Sequence, residues 1–137
     1  MSNPIHPTLA AWDCAHGSLL VIGELLAHTR RFMVPRFREV CDTVFRYEDA
    51  KDRRVDRVVS TLLAQLADFC PGAFVQYYLD KCIAHMTKRT LAYAAPSSER
   101  GVAFIAIGRL ALAVRDALEP HLALILNLVK ESLASYT

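Results

Sequence analysis

No stretch of this sequence is long and apolar enough to cross a bilayer. The most apolar run, GVAFIAIGRLALAV at 101–114, has Arg109 inside it and Arg115-Asp116 just beyond. A spanning helix needs roughly 20 predominantly apolar residues. The four cysteines, Cys14, Cys41, Cys70 and Cys82, form no Cys-x-x-Cys pair. The opening MSNPIHPTLAAW has no basic segment followed by an apolar one, so no secretory signal is read. Without either feature, buried free thiols are expected rather than disulfides, in a cytoplasmic chain. Charge of one sign is also lacking. Sixteen Lys and Arg against 14 Asp and Glu leave a net +2, too little to point to a nucleic-acid or membrane surface. Signatures of phosphoryl transfer are missing as well: no glycine-rich phosphate loop, no HRD and no DFG. Neither catalysis nor a cofactor is expected of these residues.

What remains is helix. The sequence is 53% hydrophobic, and its apolar residues recur with helical rather than strand period. An extension over 1–12 is expected to precede an all-α body over 13–137 with about six helices. The first runs from Asp13, as N-cap, to His28. The second spans Val34–Tyr47, with Pro35 in its first turn and a core face of Phe37, Val40, Cys41, Val44 and Phe45. The third, Asp52–Phe69, buries Val55, Val58, Val59, Leu62, Leu63 and Leu66, and Pro71-Gly72 stops it. The fourth, Ala73–Leu91, turns Tyr78, Leu79, Cys82, Ile83 and Met86 inward. After the AAPSS loop, Ser97 or Ser98 caps a fifth helix that ends before Glu119-Pro120. Pro120 opens the sixth.

A repeat runs through these helices. VIGEL (21–25), LLAQL (62–66) and AIGRL (106–110) share one phrase: apolar, apolar, small, polar, Leu. The small residues are Gly23, Ala64 and Gly108, spaced 41 and 44 residues apart. That period belongs to HEAT and armadillo arrays, with two helices per unit here. It also accounts for GVAFIAIGRLALAV, as an inner helix touching its own partner and both neighbouring units. A mid-helix glycine costs about 1 kcal/mol against alanine, so Gly23, Ala64 and Gly108 are expected where helices pack closely. In this phasing the chain is one inner helix, two outer–inner pairs and one outer helix. The last helix carries Leu122, Leu124, Ile125, Leu128, Val129 and Leu133 with no inner helix to cover them. A segment of a longer array is expected, one that self-associates through its open terminal helices.

More specific residues lie between the repeats. In order come His16-Gly17 at the start of an inner helix, Phe69, Pro71 and Phe74 as FxPxxF, Tyr78-Leu79, and His85. Glu99-Arg100 then precedes Ala103-Phe104, and Ala113-Val114-Arg115 closes the series. In this order, over 16–133, the sequence resembles the N-terminal HEAT array of the target-of-rapamycin (TOR) kinases, large serine/threonine kinases of the phosphatidylinositol-3-kinase-related group. The short TRRFMV link and the AAPSS loop depart from that pattern. The resemblance implies a non-catalytic scaffold that supports complex assembly and docks a Raptor-like companion subunit. The parent complex would act in the cytoplasm, at endomembrane or lysosome and vacuole surfaces. The alternative is a free-standing HEAT adaptor or transport-type peptide binder. An RNA-binding solenoid is a third reading, disfavoured by the modest charge.

Individual side chains offer little chemistry. Cys82 and His85 can share a helix face with Cys41 nearby, but a structural zinc site needs four ligands at tighter spacing, so no metal is expected. Cys14 with His16 and Asp13 has the residue types of a reactive cysteine, yet residues two apart point to different faces of a helix. The basic residues Arg30, Arg31, Arg53, Arg54, Lys88 and Arg89 lie at helix ends, where they form ion pairs or offer arginines to an acidic partner surface. Arg100, at the start of the fifth helix, is expected to make a structural contact. Trp12, Phe74, Tyr77 and Tyr78 form no basic–aromatic platform for bases.

Overall fold

The computed structural model describes residues 9–91 and 97–135. Among these residues it is helical with no strand: α1 (Leu9–His28), α2 (Arg30–Met33), α3 (Phe37–Phe45), α4 (Arg53–Phe69), α5 (Pro71–Tyr77), α6 (Leu79–Thr90), α7 (Ser97–Val114) and α8 (Leu122–Ala134). Short 3-10 turns cover Val34–Arg36 and Arg115–His121. The all-α expectation holds, and the six expected helices are present, several with different ends.

The differences have local causes. α1 begins at Leu9, so Asp13 lies inside it rather than capping it. Asp13 instead makes an ion pair with Arg54 at 2.7 Å. The expected second helix opens as a 3-10 turn at Pro35 before α3 proper. The expected fourth is split at Tyr78, whose backbone leaves the helical region at φ −133°. The Tyr78 ring packs against Phe37, Phe45 and Phe74, and its hydroxyl donates to Asp42 Oδ1 at 2.8 Å. That anchoring coincides with the break. α7 stops at Val114 rather than near Glu119, because Arg115 adopts φ +50°. Left-handed backbone costs an L-residue roughly 1–2 kcal/mol and ends the helix there. Residues 94–96 of the AAPSS loop and residues 1–8 of the N-terminal extension lie outside the described residues, and α7 includes Ser97 and Ser98.

The side chains that join the helices disclose their directions. Asp13, early in α1, meets Arg54, early in α4. Gly23 O, in mid-α1, accepts from Gln65 Nε2 in mid-α4 at 2.9 Å. Arg30, just past α1, donates to Phe69 O, the last residue of α4, at 2.6 Å. The two helices are therefore parallel. α7 continues the layer in the same sense: Val102 lies beside Arg57, Val58 and Thr61, and Arg109 and Leu112 lie beside Ala64 and Asp68. A second layer holds α3, α6 and α8. Tyr78 reaches Asp42, Arg89 donates to Glu48 O at 2.8 Å, and His121 pairs with Asp80 at 3.0 Å. Phe37 at the start of α3 stacks on Phe69 at the end of α4, so the layers run antiparallel to each other.

Between the layers lies the core. Leu63, Leu66, Val55 and Val59 of α4, Val44 and Cys41 of α3, Phe74, Cys82, Met86 and Leu110 are fully enclosed. Every core residue expected on α3 is buried, as are those on α4 apart from Val58, which is half-buried. α7 departs from expectation. It buries Ala103, Ala106, Ile107, Leu110 and Val114 but leaves Ile105 and Leu112 exposed, so it is covered on one side only. Cys14 is exposed, unlike Cys41 and Cys82.

Candidate functional site

The register of the contacts is the first functional clue. Six side-chain hydrogen bonds join residues 36 to 42 positions apart. They link like positions in successive helix pairs, at nearly the spacing of the VIGEL, LLAQL and AIGRL phrases. Sequence period and spatial period coincide, which is what stacking of equivalent units produces.

The basic residues separate into two edges. Arg30 and Arg31 stand where α1 and α4 end. Arg53, Arg54, Lys88 and Arg89 stand at the opposite edge, where α4 begins and α6 ends. Three of the six are committed inside the molecule. Arg30 caps α4 through Phe69 O and lies over the Phe69 ring, 4.4 Å from its centroid. Arg54 bridges Asp52 and Asp13, and the Asp52 hydrogen bond raises its pKa. Arg89 contacts Asp56 at 2.7 Å and donates to Glu48 O. Arg31 and Arg53 are exposed, and Lys88 makes only a long 3.7 Å pair with Asp49. Arg30 and Arg54 are exposed as well, so what sets Arg31, Arg53 and Lys88 apart is the lack of a close partner among the described residues. The sequence placed all six at helix ends, but neighbours in sequence do not reveal which guanidinium meets a partner in the next unit.

Around Arg89 the electrostatics are set by burial. Desolvation raises the pKa of Asp56 despite the Arg89 guanidinium beside it. His85 is buried and held neutral, its pKa lowered to about 4 by desolvation first and Arg89 second. Its Nε2 has no hydrogen-bond partner. The thiols are poor nucleophiles and poor metal ligands here, since burial raises Cys41 to about 12 and Cys82 higher still; both functions require thiolate. Among the described residues, no three His, Cys, Asp or Glu side chains converge as a metal site would require.

The small residues divide. A methyl on Gly23 would meet Leu62 Cδ2 and Gln65 Oε1 at 3.4 Å, so α4 packs directly on it. Ala64 is buried. Gly108 has nothing within 4 Å of where a Cβ would stand, so the close approach expected there is absent. It lines instead an apolar groove between α7 and α8. Arg100 is half-buried in the first turn of α7, beside Thr90, Leu91 and Leu128. Sequence reasoning missed two further grooves on the α1–α4–α7 layer. One, of about 560 Å³, lies between α1 and α4; the other, of about 430 Å³, lies between α4 and α7. Gln65 borders both. Its place as the polar residue of the central phrase was the available signal.

No single described helix is long and apolar enough to cross a membrane. α4 and α5 pass that test only together, and they bend by 119° at their junction. These features define an all-α helical repeat. The chain is homologous to one stretch of the TOR serine/threonine-protein kinases. It is 39% identical over 119 residues to serine/threonine-protein kinase TOR of Oryza sativa subsp. japonica and 38% identical over 119 residues to that of Arabidopsis thaliana. It is 33% identical over 120 residues to serine/threonine-protein kinase tor1 of Schizosaccharomyces pombe. The matches take in 87–88% of this chain but only about 5% of each relative's length. No protein-family model and no solved structure matches the chain.

Proposed function

We propose that these residues form a non-catalytic segment of a HEAT-type array in a TOR-type serine/threonine kinase acting in the cytoplasm. Its task is to hold the shape of the complex and to help dock a Raptor-like companion subunit. One observation carries the reading: nearly the whole chain aligns with a twentieth of several TOR kinases. A helical-repeat period of about 41 residues supports it, since such units stack into extended frames. Companion docking falls to the loosely partnered Arg31, Arg53 and Lys88 rather than to the committed Arg30, Arg54 and Arg89.

The test is a chimera. The aligned stretch of Schizosaccharomyces pombe tor1 is replaced by this chain, and complex assembly and growth are measured. Growth with this chain, and failure with an unrelated helical repeat of equal length, is the expected result. Equal growth with both would remove any specific scaffold role. In a working chimera, Arg53→Glu should reduce co-purification of the companion subunit, and unchanged recovery would remove Arg53 from the docking surface.

A second reading, a free-standing adaptor or transport-type peptide binder, draws support from the two grooves flanking α4 that share Gln65. Its mark would be a peptide ligand displaced by Gln65→Arg.

A further inference from the structure

The link RRFMVPRFR, residues 30–38, leads from α1 into α3 and carries four arginines and no acid. Taking these four from the sixteen basic residues leaves twelve against fourteen acids, so the positive balance of the whole chain resides in this link. Among the arginines, Phe32 is 75% exposed and Val34 49%. The arginines are held in place with little loss of charge. Arg30 lies over the Phe69 ring and donates to Phe69 O. Arg38 lies over the Tyr77 ring, 3.8 Å from its centroid, and the nearby Asp42 accepts from the Tyr78 hydroxyl. A ring face or a carbonyl positions a guanidinium without neutralising it. Arg31 is exposed, and Arg36 pairs with the equally exposed Glu39 at 3.0 Å.

This link stays open when units flank it on both sides. Gly23 and Ala64 set a register of 41 residues, and the buried Cys41 and Cys82 keep it. In that register the link falls on residues 71–79 of the middle unit, whose α4 packs on both α1 and α7. There Met33 and Phe37 correspond to Phe74 and Tyr78, and all four are buried. Arg30, Arg31 and Arg36 correspond to Pro71, Gly72 and Tyr77, all exposed, and Phe32 and Val34 to the half-buried Ala73 and Val75. Stacking therefore covers the same two anchors in each unit and leaves the residues between them wholly or partly in solvent.

We infer that the 30–38 link is a contact for an anionic lipid bilayer. Phe32 and Val34 enter the headgroup layer, and Arg30, Arg31 and Arg38 lie against lipid phosphates. A basic cluster with apolar side chains at its tip supplies the two attractions that hold a protein on such a surface. Each arginine close to the bilayer strengthens binding about fivefold and partial burial of one phenyl about tenfold. Three arginines and Phe32 thus favour the surface by about a thousandfold. The chemistry suits lipid better than nucleic acid. Val34 is aliphatic, and Arg38 already occupies a face of Tyr77, which leaves Phe32 as the free ring for a base to stack on. Asp116 and Glu119, exposed on the link after α7, stand two units away. With helices about 8–10 Å apart, that exceeds the roughly 8 Å screening length in physiological salt. Arg31 is thereby assigned to lipid, and Arg53 and Lys88, on the opposite edge, keep the companion subunit.

Co-sedimentation of the 137-residue chain with vesicles tests this. Phosphatidylcholine vesicles holding about one-third phosphatidylserine should retain it, phosphatidylcholine alone should not, and added salt should release it. Arg31→Ala should weaken retention about fivefold and Phe32→Ser about tenfold, whereas Arg53→Ala should leave it unchanged. All three positions are exposed, so helicity by circular dichroism should be unaltered. The chain has one tryptophan. In a Trp12→Phe background, Phe32→Trp moves the single indole to the link, and its emission should shift to the blue on the anionic vesicles. Equal retention on both vesicles, retention on neither, or an equal loss from Arg53→Ala overturns the inference. So do full retention by both Arg31→Ala and Phe32→Ser, and an unshifted indole. Binding to a single-stranded RNA without binding to vesicles also overturns it and gives the link to nucleic acid. The inference rests on the repeat register and not on the kinase scaffold, so it and the chimera result fail separately.

Discussion

His85 is the residue where burial and ionisation conflict most directly. It is enclosed, neutral and without a partner for Nε2, and its pKa falls from 6.5 to about 4 in the fold. Between those values the unfolded chain binds a proton that the folded chain refuses. Stability from this group is therefore complete above about pH 6.5 and is lost as pH falls toward 4, by up to about 3 kcal/mol. Urea unfolding at pH 7 and pH 4.5 should show the loss, and His85→Phe should remove most of it. A variant with the same pH slope would place the cause elsewhere. Beside it, Arg89 neutralises the half-buried Asp56 and satisfies Glu48 O. Removing one partner of a buried pair costs about 3–5 kcal/mol. This pair keeps some solvent contact, so Arg89→Ala should cost about 2 kcal/mol, read by the same titration. At this scale the sequence was legible in part. Helical spacing alone located Phe37, Val44, Leu63 and Met86 in the core. The carbonyl contacts of Arg30 and Arg89 were not visible, because they depend on which carbonyl lies some 40 residues away.

Among the elements, α4 holds the most. It packs on α1, α3, α5 and α7, and its first turn is closed by Asp52, which accepts from the backbone N–H groups of Arg54 and Val55. Asp52→Ala should cost about 1 kcal/mol, the usual loss of an N-cap. Leu63→Ala, at a fully enclosed position, should cost about 3 kcal/mol. The same change at the exposed Leu126 of α8 should stay within about 0.5 kcal/mol. Equal losses at both sites would mean that α8 is covered in solution. The sequence signalled the Asp52 start and the Pro71 break, since both rest on local chemistry. The breaks at Tyr78 and Arg115 were hidden. The first coincides with an anchor on α3, and the second with a left-handed backbone at a residue type that rarely adopts it. Arg115→Gly should accordingly stabilise the fold by up to about 1 kcal/mol.

For the molecule as a whole, a period and a likeness agree. The phrase repeats every 41 and 44 residues, the hydrogen bonds between units span 36 to 42, and the chain aligns with a small part of TOR kinases. The repeat was legible because stacking demands small residues and leucines at fixed places. The groove beside Gly108 was legible in part: uncovered Leu122, Ile125, Val129 and Leu133 were expected on the last helix, whereas Gly108 itself was expected in a close helix contact that the described residues do not make. The central claim is that these residues work inside a much longer kinase. An antibody raised against this chain should detect, in cells that make it, a protein many times heavier than the 15.3 kDa of the chain itself. Mass spectrometry of that captured protein should recover peptides of a phosphatidylinositol-kinase-like catalytic domain from the same polypeptide. A single species near 15.3 kDa with no kinase peptides would contradict the account.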